Sequence, residues 1–155
     1  MKRALVLCLL ALTTQAAADT AQRGDIRVKD ARIAASIGAA RSGAGYLSVT
    51  NTSEEADRLM AVVADFPKVM LHQTEEQDGI ARMEHLADGV PLPPGATVEF
   101  APGGTHVMFM GLTAPFVEGA EVPATLVFER AGELDIVFEV RPLADIAASD
   151  DHGGH

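Results

Sequence analysis

Val69–Leu86 reads VMLHQTEEQDGIARMEHL, and this stretch decides how the rest of the chain is read. Asp78-Gly79 is a strong signal for a two-residue hairpin turn, because both central positions of such a turn favour a left-handed backbone. Centring the turn there sets His72 opposite His85 and Thr74 opposite Met83. Side chains alternate along a strand, so His72, Thr74, Met83 and His85 share one face. Leu71 and Leu86 then fall on the other face and point to the core. His72 and Met83 are diagonal neighbours, about 7–8 Å apart at Cα, a gap that two side chains of this length can close on one ion.

Outward from the hairpin the period stays at two. The pattern predicts strands at Ile26–Ile33, Gly45–Asn51, Arg58–Val63, Val69–Thr74, Ile80–Leu86, Thr97–Phe100, His106–Met110, Thr125–Arg130 and Leu134–Val140. Turn residues separate them: Asn51-Thr52-Ser53, Pro91 to Gly95, Pro102-Gly103-Gly104, Pro115 to Gly119 and Ala131-Gly132. Short strands at this spacing predict an all-β fold, an antiparallel β-sandwich or Greek-key barrel. No segment offers an amphipathic helix, and nothing divides residues 19–143 into two domains.

A second stretch, Gly104–Leu112, reads GTHVMFMGL. His106, Met108 and Met110 project to one side of it, and Val107 and Phe109 to the other. The chain has five His and six Met. Six of these eleven, His72, Met83, His85, His106, Met108 and Met110, fall on these two stretches with matching faces. Met60 and Met70 show no such pattern and read as core. Thioether is soft and neutral, and imidazole suits copper, zinc and nickel. Calcium and magnesium take oxygen ligands, and structural zinc takes thiolate or imidazole. A set of imidazoles and thioethers therefore points to Cu(I).

The termini are of different character. Met1–Ala18, MKRALVLCLLALTTQAAA, has a basic start, nine apolar residues from Ala4 to Leu12 and a small-residue end. It reads as a signal peptide cleaved after Ala18, too short in its apolar run to span about 30 Å of hydrocarbon. Cys8, the only cysteine, leaves with it. An exported chain without cysteine has no disulfide, no thiolate site and no blue-copper centre of the usual kind. Ala144–His155 is polar, acidic and small, and reads as a flexible tail. Its end, Asp150-Asp151-His152-Gly153-Gly154-His155, offers His152 and His155 as N donors for Cu(II).

The chain has 155 residues and a net charge of −10, which becomes −12 once Lys2 and Arg3 are removed. Such a balance excludes the phosphate neutralisation that nucleic-acid binding needs. It disfavours anionic lipid, and no membrane insertion is expected. It is compatible with a cation or a basic partner.

Asp57–Leu59 (DRL), Val69–Gln73 (VMLHQ), Met83 and Pro102–Leu112 (PGGTHVMFMGL) resemble the periplasmic copper chaperones of the PCuAC family. That family's signature is a His, then a Met, then His-x-Met. Here ten residues separate His72 from Met83 and twenty-two separate Met83 from His106. The second spacing is one longer than in the family, and the addition falls among Pro and Gly turns where insertion costs little. The resemblance covers Asp25–Pro142.

It implies a cupredoxin-like sandwich with Cu(I) on His72, Met83, His106 and Met108, and His85 and Met110 as additional or supporting ligands. It implies a periplasmic protein that is no enzyme, and delivery of copper to the dinuclear centre of cytochrome c oxidase subunit II, beside Sco-type copper proteins. A monomer or a copper-bridged oligomer is compatible with such a site. Two other readings of the residues compete: a metal-free sandwich that serves as an interaction module, and a copper redox protein. The missing cysteine weighs against the second.

Overall fold

The computed structural model describes residues 20–150; the signal peptide expected at 1–18, with Cys8, and the tail histidines His152 and His155 lie outside the described residues. Eleven strands form in chain order: β1 Thr20–Arg23, β2 Ile26–Ala34, β3 Ser42–Asn51, β4 Asp57–Val63, β5 Lys68–Gln77, β6 Ile80–His85, β7 Val90–Leu92, β8 Thr97–Phe100, β9 Thr105–Met110, β10 Glu121–Phe128 and β11 Gly132–Arg141. One helix, α1, spans Leu143–Asp150.

Alternation is clearest in β11, where Leu134, Ile136, Phe138 and Val140 are buried between exposed neighbours. These side chains meet Val122, Ala124, Leu126 and Phe128 of β10 on the same core face. The ladder runs β6-β5-β9-β3-β2-β11-β10-β4-β7, with β1 added on β2 and β8 on β3. This path folds over on itself, so β4 contacts β5 and β7 contacts β3. The two layers enclose a core of aliphatic side chains and five buried phenylalanines, Phe100, Phe109, Phe116, Phe128 and Phe138. It is an all-β sandwich, as the sequence predicts.

Three features depart from that prediction. β11 and β2 pair in parallel, through Glu139–Arg141 and Arg32–Ala34, so the sheet is mixed rather than purely antiparallel. β1 and β7 are additional strands of four and three residues, too short to show a period. And α1 occupies the start of the stretch read as a tail without a helix. It begins after Pro142, whose carbonyl accepts the Asp145 amide at 3.1 Å, and it buries Ile146.

β9 is held in place from beneath. Gly43 and Gly45 of β3 stand opposite Phe109 and Val107 of β9. A Cβ on Gly45 would come to 2.9 Å from the Phe109 ring, and one on Gly43 to 2.6 Å from Phe116. The bare backbone leaves room for Phe109 to meet Phe66, Phe116 and Phe138 edge to face, with centroids 5.3–5.7 Å apart. Such ring pairs add to the stabilisation from apolar burial. With Phe109 locked inward, strand alternation turns its neighbours Met108 and Met110 outward.

Asp57 fixes the far end of the sandwich. Its carboxylate accepts the backbone amides of Arg58, Arg130 and Ala131, tying β4 to the β10–β11 turn. Asn51, fully buried, donates to the Glu55 and Leu92 carbonyls and accepts from Ser53. Its hydrogen-bonding capacity is used within the fold.

Candidate metal centre

The β5–β6 hairpin adopts the register expected from its turn. His72 pairs with His85 and Thr74 with Met83. Asp78 and Gly79 both carry positive φ, 56° and 75°, the conformation that a two-residue turn of this kind requires.

β9 lies along the other edge of β5. His72 pairs with His106, Met70 with Met108 and Lys68 with Met110. Three imidazoles thus stand in one row across three strands, His106–His72–His85. Ring centroids are 5.8 Å apart for His72 and His106, and 5.7 Å for His72 and His85. The Met70–Met108 pair forms the next row toward one end of β5. Thr74 and Met83 form the next row toward the other.

The environments within the row differ. His106 is 5% exposed and its Nδ1 lies 3.0 Å from the Gly104 carbonyl. A carbonyl only accepts, so Nδ1 is the donor in this contact, and Nε2 is the nitrogen left to offer a lone pair. His85 Nδ1 likewise donates to the Leu71 carbonyl, at 3.2 Å. Imidazoles that bind metals are typically oriented this way, through the second ring nitrogen.

His72 Nδ1 is buried and has no hydrogen-bond partner, alone in this among side-chain N and O atoms of the described residues. A buried polar atom left unpaired calls for an explanation, and a ligated cation supplies one. Burial pushes the His72 pKa below 6.5, and His106, His85 and Lys68 push it the same way. The ring is therefore neutral near pH 7, the form that binds a metal.

The motif residues are not placed alike. His72, His106 and Met108 occupy adjacent positions on β5 and β9. Met83 lies on the outermost strand and is 53% exposed. On standard strand spacings its backbone is roughly 17 Å from that of Met108, with the His row between. His85 joins the row, and Met110 lies one row beyond Met108, opposite Lys68. Among the described residues no three His, Cys, Asp or Glu side chains are gathered as a metal cage.

Met70 and Met60 correct the expectation that both belong to the core. Met60 is 40% exposed, and Met70 is half-buried on the His face, outside the core cluster. The signal for Met70 was its place two residues before His72, which fixes its face by alternation. A cleft of about 710 Å³ opens elsewhere, between Val28, Val63, Ala124 and Ile136. Its walls hold neither His nor Met, so this cleft and the donor chemistry are separate.

Residues 26–140 match the family described as "Putative lipoprotein LpqE-like". The chain belongs to the LpqE-like family. A curated relative, "Putative lipoprotein Lxx21020" of Leifsonia xyli subsp. xyli, is 33% identical over 108 residues, or 68% of this chain. The match spans 65% of that relative's length.

Among solved structures the copper-bound PCuAC domain from PmoF2 is 30% identical, with a TM-score of 0.66, covering 79% of this chain and 97% of that one. CuI-DR1885 from Deinococcus radiodurans is 27% identical, with a TM-score of 0.61, over 81% of this chain and 83% of that one. The apo form of DR1885 matches at 27% identity and a TM-score of 0.59, over 92% and 94%. The resemblance to PCuAC domains read from the motif residues is thus matched by likeness to solved PCuAC structures.

Proposed function

We propose that this LpqE-like protein is an exported carrier that holds Cu(I) on the β6–β5–β9 face and passes it to an acceptor. The observation that carries the reading is the imidazole row: two rings with Nδ1 tied to carbonyls, the middle ring with a buried nitrogen unpaired, and thioethers on both sides. Imidazole and thioether together suit a soft monovalent cation. Likeness to the copper-bound PmoF2 domain and to CuI-DR1885 supports it.

Copper is cargo here, not a cofactor, and no reaction is catalysed. His72 and His106 anchor the ion with Met108, and Met83 and His85 stand on the hairpin side. Transfer proceeds by exchange: a donor of the acceptor enters as one thioether leaves, with no change in oxidation state. A neutral sulfur ligand is readily displaced. The acidic chain attracts a basic docking surface. The acceptor proposed is the dinuclear copper centre of cytochrome c oxidase subunit II, reached in the periplasm beside a Sco-type protein.

The test is an anaerobic Cu(I) titration of residues 19–155 against a chromophoric Cu(I) chelator. One equivalent withheld from the chelator supports the carrier. No competition at any ratio overturns it.

A further inference from the structure

The outer edge of β6 is open. β6 stands at the end of the strand order, with β5 as its one strand partner. The Leu86 amide donates to the Leu71 carbonyl at 2.9 Å, so these two residues form a hydrogen-bonded row. Such rows alternate along an antiparallel pair. Arg82 and Glu84 therefore turn their backbone groups toward β5, and Ala81, Met83 and His85 turn theirs outward. Neither proline nor a shift of register blunts this edge, and all six residues of the strand are exposed. Edges of this kind are templates for another strand.

The charges on β6 match a second β6. A copy running antiparallel uses the outward backbone groups only when odd-numbered residues meet odd-numbered ones. A two-fold axis at Arg82 would set Arg82 against Arg82, and one at Glu84 would set Glu84 against Glu84. Like charges directly opposite destabilise a sheet, and opposite charges stabilise it. With the axis at Met83, Arg82 of each protomer lies opposite Glu84 of the partner subunit. Ile80, 59% exposed, then lies opposite Leu86. Among the described residues neither Arg82 nor Glu84 makes an ion pair within the chain.

We infer that the protein pairs with a second copy of itself through β6, antiparallel and centred on Met83. Met83 of one protomer then stands beside Met83 of the partner subunit, with Cα atoms about 5.5 Å apart. The two His/Met faces join into one surface. The same edge is used on both sides, so the contact closes as a dimer and does not propagate into a fibre. Six residues of edge make a small contact, and the dimer is transient. The pairing goes beyond the carrier reading and does not depend on it. With copper bound, it brings a thioether of the second copy alongside the outermost donor of the loaded site.

The test is sedimentation of metal-free residues 19–155, from about 20 μM to 2 mM, at about 0.15 M salt. The expected result is a monomer–dimer equilibrium with a dissociation constant of about 0.1–1 mM. Ala81→Pro should abolish it. The proline ring replaces an N–H that faces away from β5, a position that an edge strand tolerates. Arg82→Glu and Glu84→Arg should each weaken dimerisation by about fivefold or more. Mixed in equal amounts, these two variants should pair with each other, because every 82–84 contact again joins opposite charges.

A monomer at every concentration leaves the edge to a strand of another protein and overturns the inference. A dimer unmoved by Ala81→Pro, or a mixture that fails to restore pairing, overturns it as well. If Ala81→Pro no longer melts cooperatively, the charge-reversed mixture decides alone. Failure of the parent protein to hold Cu(I) overturns the carrier reading and leaves the dimer standing.

Discussion

The β5–β9 pair and the β5–β6 pair share a strand and carry the same kinds of donor, yet they are built differently. β9 is clamped between β5 and β3, backed by Phe109 and its aromatic neighbours, and its His106 is nearly sealed from solvent. β6 has a partner on one edge only, and all six of its residues are exposed. One pair is fixed by the core. The other is fixed by a two-residue turn and one ladder of hydrogen bonds. The difference teaches how a carrier of the proposed kind could divide its work: the packed pair would set how tightly the ion is held, and the edge pair how easily it leaves.

The largest expected effect separates two histidines of the same row. His72→Ala removes the ring common to both sides and should weaken Cu(I) binding by about 100-fold or more. His85→Ala, on the edge strand, should weaken it by less than about fivefold. Competition titrations measure both, and equal losses would erase the distinction between the two pairs.

Stability gives a smaller but clear contrast. Gly45→Ala drives a methyl group to 2.9 Å from Phe109 and 3.3 Å from Phe138. Overpacking of this kind should cost about 1–3 kcal/mol and disturb the β9 side of the centre. Gly79→Ala meets no atom within 4 Å, so only its φ of +75° matters, at about 1 kcal/mol. Its effect should stay in the hairpin, leaving Cu(I) affinity unchanged. Thermal melts and titrations of the two variants check this, and a drop in affinity for Gly79→Ala would show that the edge pair carries the binding.

The smallest effect is on pH. The His72 pKa in the folded protein is below its ordinary 6.5, so below that pH the unfolded chain takes up the proton more readily. The stability of the apo protein should be highest above pH 6.5 and decline as pH falls through the lowered His72 value. His72→Gln should flatten that part of the profile. A matched pair of Tm-against-pH curves decides, and parallel curves would mean that the burial of His72 is energetically neutral.

How much of this was legible in the sequence follows the same division. The hairpin register could be read because Asp78-Gly79 fixes it locally, and the face of β9 because Val107 and Phe109 alternate with the donors. The pairing of β5 with β9 is set by the global fold, across the whole of β6, β7 and β8, and no local pattern announces it. Alternation from His72 could set the face of Met70, yet between Val69 and Leu71 it reads as core, and its pairing with Met108 comes only from the fold. The parallel β2–β11 pair was invisible for the same reason. β1 and β7 were too short to show a period, and α1 gains its buried anchor, Ile146, only from tertiary contact.

The exposure of Met83 also bears on how such a protein ages. Oxidants convert a thioether to a sulfoxide, polar and no longer soft, and they reach the most exposed sulfur first. Met83 is 53% exposed, while Met70 and Met108 lie half-sheltered over the sheet. On the proposed reading, a worn molecule would therefore lose its outermost soft donor first, while the sheltered Met108 beside His72 and His106 outlasts it.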